Sequence, residues 1–348
     1  MPDIAVVILN WNGINHLKKF LPSVIEHTNP ELAEIYVADN GSTDDSLIWL
    51  RQNFPGIKII ELGRNWGFAE GYNRSLKQIS SAYYLLLNSD VEVTLHWLEP
   101  LFELINGDPS VAACMPKIKS AYDRSLFEYA GAAGGFIDKY GYPFCRGRIF
   151  YHIESDNGQY DNNIEIFWAS GACFLVRSEL YFTAGGLDPF FFAHMEEIDL
   201  CWRLKNHGFR IMFTHQSRVY HLGGGTLPKK NHRKTYLNFR NNLILLMKNL
   251  PAAKFWQTMT ARIILDFVAA VYFLIKLDPK ESYAVLKAYF SIIFHLGKIL
   301  NSRKEEMGRV HPLHHHETYT GSIVWQFYIK RKRKFSQLGY KSHFVNKS

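Results

Sequence analysis

Cysteine is scarce in this 348-residue chain: Cys114, Cys145, Cys173 and Cys201 lie far apart and form no CxxC pair. That spacing excludes a cysteine zinc site and a disulfide framework. Long apolar runs are missing near the start. The opening MPDIAVVILNWNG has no basic leader, and its apolar run, Ile4 to Leu9, stops after six residues. It is expected to be a buried strand and not a signal peptide, which places the protein in the cytoplasm. No GxGxxG follows this run and no GxxxxGK[ST] occurs anywhere. Both absences count against a dinucleotide dehydrogenase and a P-loop nucleotidase. Acidic residues are in the minority, 32 against 40 Lys and Arg, for a net charge of +8.

A composition of 47% hydrophobic and 21% charged residues is that of a globular protein. The length allows one domain of about 220–250 residues and an appendage. Ile4 to Leu9 reads as a buried parallel strand ending in Asn-Trp-Asn-Gly, followed by helical spacing from Ile14 to His27. Strands are predicted at Ile35 to Ala38, Lys58 to Glu61 and Tyr83 to Leu87. A helix from about Asp44 to Asn53, with Thr43 or Asp44 as its cap, and another after the turn GRNWGFAEGYN separate them. The alternation predicts an α/β fold with a mostly parallel central sheet and flanking helices. In such sheets ligands bind beyond the carboxyl ends of the strands. Asn10 and Asn12, Asp39, Arg64 and Asn65, and Asn88 to Asp90 fall at those ends.

The character changes near Leu250. Phe255 to Leu277 is apolar but carries Arg262 and Asp266, and its longest uncharged stretch, Phe267 to Ile275, is too short to span a bilayer. Tyr283 to Leu300 carries Lys287 and Lys298 on nearly one helical face, as an interfacial amphipathic helix would. The expected organisation is a catalytic-type α/β domain over 1–250, amphipathic and membrane-interfacial helices over 251–302, and a basic, partly disordered tail over 303–348. The excess positive charge sits late, at Lys229, Lys230, Arg233, Lys234 and the KRKRK run from Lys330 to Lys334. Such charge suits an anionic membrane surface. Nucleic acid is not expected, because no RNP-like or helix-turn-helix pattern accompanies the run. His311 and His314 to His316 read as part of a flexible histidine-rich tail.

Asp90, presented by a polar turn after a hydrophobic strand, has the chemistry to hold Mg²⁺ or Mn²⁺ against a diphosphate. Taken alone it is equally an Asx turn or a cap. Asp39 stands similarly and can accept a hydrogen bond from the imide N–H of uracil or thymine; Asp44 reads as a cap. His221, in VYHLGGGT, joins an imidazole ligand to a glycine turn that can approach phosphates closely.

Seven segments occur in a telling order: VVILNWNG (Val6 to Gly13), ADNGSTDDS (Ala38 to Ser46), NWGFAEGYN (Asn65 to Asn73), LLLNSDVEV (Leu85 to Val93), FWASGACFLVRSEL (Phe167 to Leu180), GGLDPFFFAHMEEIDLCWR (Gly185 to Arg203) and VYHLGGG. Together they resemble glycosyltransferase family 2, with the GT-A fold, and within it a bacterial rhamnosyltransferase-like branch. The resemblance covers about residues 4–226. It implies an inverting hexosyl transfer from a nucleotide-diphosphate donor, with dTDP-rhamnose one candidate, to a glycan or lipid-linked acceptor of the cell envelope, at the inner face of the membrane. It implies that Asp39 reads the base, that Asn10, Arg64 and Asn65 lie on the donor side, and that Asp90 and His221 hold a divalent metal. Trp168, Ser170 and Gly171 would lie near the acceptor. The family's metal motif is often DxD, whereas Asn88 occupies its first position here. A sugar nucleotidyltransferase and a non-catalytic membrane scaffold are the competing readings. The first would carry a lysine-containing glycine signature where this chain has NWNGINHLKKF.

The stretch FFFAHMEEIDLCWR offers three acids for the proton transfer that an inverting mechanism needs. At roughly 100° per residue, Glu196, Asp199 and Arg203 share one helical face and Glu197 points away, towards the side of Cys201 and Leu204. Asp199 and Arg203, four apart, form a natural ion pair. The family motif is Glu-Asp-x-Asp with the second acid as base, and Glu197 stands at that place. Glu196 and Asp199 are the alternatives.

Overall fold

The computed structural model of the protein describes residues 2–223, 232–309 and 315–339. Gly224, Gly225, Thr226, Lys229, Lys230, His311 and His314, all singled out above, lie outside these residues.

The first half alternates as its apolar pattern dictates: β1 (Ile4–Asn10), α1 (Ile14–His27), β2 (Ala33–Asp39), α2 (Ser46–Asn53), β3 (Lys58–Glu61), α3 (Phe68–Leu76) and β4 (Tyr83–Asn88). In β1 every residue except Leu9 is buried, as a strand covered on both faces requires. β1 pairs in parallel with β2 and β4, and β2 with β3. The register sets Asn10 opposite Asp39 and Leu9 opposite Asn88, so three strands deliver their polar ends to one edge. α1 covers the sheet with Leu17, Phe20, Leu21 and Val24, the spacing of a single helical stripe.

The chain continues through β5 (Val91–Val93), α4 (Glu99–Asn106), β6 (Val111–Ser120), β7 (Gly135–Asp138), β8 (Pro143–Cys145), β9 (Arg148–Ile149) and β10 (His152–Ile153). Then come β11 (Ile164–Ile166), β12 (Cys173–Arg177), α5 (Ser178–Thr183), α6 (Glu196–Asn206) and β13 (Arg210–His221). The main sheet has the order β11-β13-β6-β12-β4-β1-β2-β3, with β5 on β13. β12 runs antiparallel between β4 and β6, so the parallel set expected from the first half is extended into a mixed sheet.

Four helices follow: α7 (His232–Asn249), α8 (Ala252–Ile275), α9 (Pro279–Phe294) and α10 (Leu296–Arg309). Two expectations fail here. Tyr283 to Leu300 is not one helix: α9 and α10 meet at a 69° bend. Lys287 and Lys298 therefore share no face; both are exposed, and each lies over a ring, of Tyr236 and Phe190 respectively. The second failure is the tail. β14 (Thr318–Tyr319) pairs with β7 and completes a small sheet of order β10-β9-β8-β7-β14. Tyr319, Ile323, Phe327, Phe335 and Leu338 are buried, and the Phe335 ring packs on Phe136 and Phe144. The charged run between them is carried on this folded segment. Nor is the histidine segment a free tail where it is described. His315 is buried against Asn206, and His316 meets Glu165 and Glu317, where Lys205 already pairs with both acids.

α8 is long and apolar enough to cross a membrane by length and composition. Its inward ridge is polar nonetheless. Arg262 and Asp266 are buried, and Asp266 accepts hydrogen bonds from Arg262 at 3.1 Å, Tyr142 at 3.0 Å and Tyr289 at 2.9 Å. Arg262 also donates to the Tyr140 carbonyl and to the Asn242 side chain. The opposite face, with Trp256, Ile263, Ile264, Phe267, Val268 and Ile275, is exposed. Asp266→Ala leaves a buried guanidinium without its counter-ion and should cost about 3–5 kcal/mol, read as a lowered midpoint in denaturant unfolding of the full-length protein.

Candidate active site

At the edge of β1 and β2 the side chains bind one another before they can bind a ligand. The Asn10 amide donates to Asp39 Oδ1 at 3.2 Å and to Ser42 Oγ at 3.1 Å, and the Ser42 N–H donates to Asp39 Oδ2 at 2.9 Å. Asn12 Oδ1 accepts from the Thr43 N–H at 2.7 Å and the Asp44 N–H at 3.3 Å. The two strand-end loops are thus zipped together. Asp44 is no simple cap: its carboxylate accepts from the N–H of Ser46 and from that of Ile14, at the start of α1. Both side chains are buried: Asp39 keeps unused lone pairs on both oxygens, and Asn10 fixes its orientation.

The third loop docks on the second through backbone. A Cβ on Gly41, whose φ is +74°, would lie 2.4 Å from the Arg64 Cα, so only glycine lets the loops touch. Asn65 is spent on the turn, accepting from Asn40 Nδ2 at 3.1 Å and the Gly67 N–H at 2.8 Å. Arg64 is exposed and stacks on Trp66, whose ring also carries Arg74.

Asp90 and His221 meet across the sheet because β13 pairs with β5 and the Leu222 N–H donates to the Asp90 carbonyl. Asp90 Oδ1 lies 3.1 Å from His221 Nε2, with the Asn88 amide 3.5 Å from the same nitrogen. On the other side of the ring, Glu128 Oε2 is 3.4 Å from Nδ1. Burial disfavours the imidazolium, but the carboxylates of Glu128 and Asp90 outweigh it and push His221 up to about 10. The donor set fits a small divalent cation: neighbouring ligands around such an ion at about 2.1 Å sit about 3 Å apart. A carboxylate behind a histidine ligand is the usual orienting partner. Glu128 was not found in the sequence, because its link to His221 spans most of a domain and follows no motif.

The segment expected on the acceptor side divides into framework and surface. Trp168 is buried, donates to the Phe136 carbonyl at 3.0 Å and packs flat against Gly135. Ser170 is buried and donates to the Ala130 carbonyl. Both are structural. Gly171 is different: a Cβ there would lie 3.4 Å from the Phe68 ring and 3.8 Å from the Cβ of Glu197. One residue on, the Ala172 carbonyl accepts from the Asn88 N–H at 3.0 Å. The strand end that leads to Asp90 is thereby tied to the segment facing Glu197.

The three acids of α6 separate cleanly. Asp199 is fully buried and accepts from Arg203 at 2.9 Å, Lys248 at 3.0 Å and Asn249 at 2.8 Å. Burial works to raise its pKa, but Lys248 and Arg203 prevail and hold it below the usual carboxylate range. It is a structural counter-ion, which removes it as a candidate base. Glu196 is buried, and desolvation, then the charge of Glu197, push its pKa well up. Glu197 is partly exposed, has one carboxylate oxygen with no hydrogen-bond partner, and is raised by desolvation to about 7. Before it, Phe192, His194 and Met195 all have positive φ (66°, 69° and 78°). Non-glycine residues held so cost about 1–3 kcal/mol each, and such strain gathers at functional sites.

A polar strand edge on a mixed sheet, with an aspartate–histidine pair at the end of β13, is the architecture of a nucleotide-sugar transferase of the GT-A type. Residues 5–182 match the model of glycosyl transferase family 2, just over half of the chain, and the protein belongs to that family. It is similar to an N-acetylglucosaminyl-diphospho-decaprenol L-rhamnosyltransferase of Mycobacterium tuberculosis, 26% identical over 64% of this chain and 76% of that protein. Among solved structures it resembles S. aureus TarS 1-349 in complex with UDP-GlcNAc, at a TM-score of 0.55 and 15% identity, over 89% of this chain and 84% of that one. It also resembles GalNAc-T7 with UDP, GalNAc and Mn²⁺, at 0.55 and 18%, over 71% of this chain and 48% of that one. These structural likenesses establish the fold.

A base must be ionised to accept a proton, so if Glu197, raised to about 7, is the base, turnover requires pH above that value. Turnover should rise with pH along a limb centred near 7, about three units above the limb an exposed glutamate would give. A pH–rate profile at saturating substrates measures it.

Proposed function

We propose that the protein is an inverting glycosyltransferase moving a sugar, with rhamnose the first candidate, from a nucleoside-diphosphate donor to a hydroxyl of a lipid-linked or glycan acceptor in cell-envelope polysaccharide synthesis. The observation that carries this reading is Glu197, a desolvated carboxyl with one buried, unpartnered oxygen, on a side chain whose Cβ lies beside Gly171. The name of the M. tuberculosis relative supports the sugar and the lipid-linked acceptor.

In the reaction, the acceptor hydroxyl attacks the anomeric carbon from the face opposite the diphosphate. Glu197 takes the hydroxyl proton as the new C–O bond forms. The bond to the diphosphate breaks with its electron pair on the leaving oxygen, so one displacement inverts the centre. Asp39, fixed by Asn10 and Ser42, accepts from the imide N–H of a uracil or thymine base. Arg64 is the exposed cation nearest this edge. Asp90 and His221 would hold Mg²⁺ or Mn²⁺, with Glu128 orienting the imidazole; His221 must first give up its proton. When bound, the ion neutralises charge on the departing diphosphate. The structural relative bearing UDP and Mn²⁺ supports this assignment.

The same reading places the enzyme on the membrane surface. α8 and α9 turn an apolar face outward, including Trp256 at 78% exposure, Phe267 at 64% and Phe290 at 59%. The buried Arg262–Asp266 network ties α8 to the domain along its length. α8 therefore lies in the interface, with its inner ridge on protein and its outer face in lipid.

Incubation with UDP- and dTDP-sugars, Mg²⁺ or Mn²⁺ and a polyprenyl-diphosphate glycan should release one nucleoside diphosphate. Glu197→Gln should cut that release at least about a hundredfold, within the range typical of a lost general base, while nucleotide affinity stays unchanged. Full-length protein should float with anionic liposomes. The triple variant Ile263→Glu, Phe267→Glu, Phe290→Glu should stay in the soluble fraction at an unchanged melting temperature. Equal flotation of both would contradict the interfacial role.

A further inference from the structure

We infer that Asn241, on α7, is the residue that positions the catalytic base by holding the strained turn in front of it. The inference rests on the reading of Glu197 as that base. None of the seven motif segments includes α7, whose sequence ends in NFRNNLILLMKN.

The turn from Phe191 to Met195 is an unusual piece of backbone. The Ala193 N–H donates to the Phe191 carbonyl at 2.8 Å, across Phe192 at φ 66° and ψ −55°. That is a γ-turn of the rare, strained hand. His194 and Met195 follow in left-handed backbone, with Met195 capping α6. None of the three is glycine, so their side chains oppose this geometry and the sequence does not supply it locally.

Asn241 supplies it from outside. Its side chain is fully buried, and Nδ2 donates to the carbonyls of Phe191 at 2.8 Å, Ala193 at 2.8 Å and His194 at 2.9 Å. Two amide hydrogens thus serve three carbonyls, all in the turn. The amide is itself oriented, because Arg240 Nη1 donates to Asn241 Oδ1 at 2.8 Å, which forces the NH₂ towards the turn. Arg240 Nη2 reaches the Phe190 carbonyl at 3.0 Å. At the other end of α7, Lys248 and Asn249 hold Asp199, two residues past the base. The base is therefore fixed from both sides by one helix, and Asn241 is the only one of these contacts acting on the strained residues themselves.

Without the amide, the carbonyls of Phe191, Ala193 and His194 lose their buried donor and the positive-φ geometry loses its hold from α7. Its relaxation swings the start of α6 and moves the Glu197 carboxylate, while the Asn10–Asp39 edge lies on other elements and is untouched. A misplacement of about 1 Å at a reacting group can cost on the order of a hundredfold in rate.

The test uses the full-length protein. Asn241→Ala should lower kcat at least about tenfold with dTDP-rhamnose, or with the panel sugar that is turned over. The dissociation constants of UDP and dTDP, measured with Mn²⁺, should stay within about twofold. Adding Met195→Gly, which accepts left-handed backbone without strain, should recover part of the lost kcat. If the alanine variant does not fold, Asn241→Ser, with one donor retained, should fall between wild type and no activity. Turnover equal to wild type in either variant overturns the inference, as does a parallel loss of nucleotide affinity or a failure of Met195→Gly to recover any rate. Glu197→Gln assayed alongside separates the two readings. An active Glu197→Gln removes the base assignment, whereas an inactive Glu197→Gln beside a fully active Asn241→Ala removes the positioning role alone.

Discussion

A carboxylate buried beside cations becomes a counter-ion; a carboxylate buried without them is held for proton transfer. Segment 188–199 contains both kinds within three positions, and α7 decides which is which. Lys248 and Asn249 reach Asp199 and Lys248 also reaches Asp188 at 2.5 Å, so the positive charge available to this segment is spent away from Glu197. Arg203 adds its charge to Asp199 and donates to the carbonyls of Ala184 and Gly186. With Lys248 and Arg203 engaged, desolvation raises both Glu196 and Glu197, and Glu197 is the more exposed of the two. The segment's charge pattern therefore depends on a helix that follows it by fifty residues.

The donor edge obeys a different constraint. Three parallel strands end in polar side chains, and the loops after them would repel water poorly and wander if they were not joined. Asn12, Ser42, Asn40 and Asn65 join them through side-chain to backbone bonds, and Gly41 allows the closest approach. Rigidity at this edge holds the buried Asp39 carboxylate in a fixed position. Preorganisation of this kind spares a ligand the cost of ordering the groups that meet it.

Much of this edge was legible in the sequence. Short β-branched runs ending in Asn or Asp identify the strands, and the parallel register follows from their alternation with helices. The ion pair of Asp199 with Arg203 is a matter of helical spacing, as is the turning of Glu197 towards Cys201; Cys201 indeed lies against the Ala169 N–H at 3.4 Å. Long-range partners were not legible. Glu128 behind His221, and Asn241 behind Glu197, have no periodicity to reveal them. Asn10, Asn65, Trp168 and Ser170 read from the sequence as ligand-facing, and in the structure each is bonded to neighbouring protein groups that no local pattern in the sequence announces. The far end misled for a third reason. Basic residues outnumber acidic ones after residue 303, while the apolar positions that anchor it, Tyr319, Ile323 and Phe327, are scattered between a short strand and a short helical turn and follow no single period. Likewise a run of helical periodicity across His295 conceals a 69° bend.

The central claim is that Glu197 is a desolvated, unpaired carboxyl whose ionisation enables transfer. Selective ¹³C labelling of glutamate carboxyls, with Glu197→Gln used to assign the signal, allows its titration to be followed directly by NMR. The account predicts a midpoint near 7, coincident with the acid limb of the pH–rate profile. A midpoint between 4 and 5, the range of an exposed glutamate, with the kinetic limb still near 7, would contradict it.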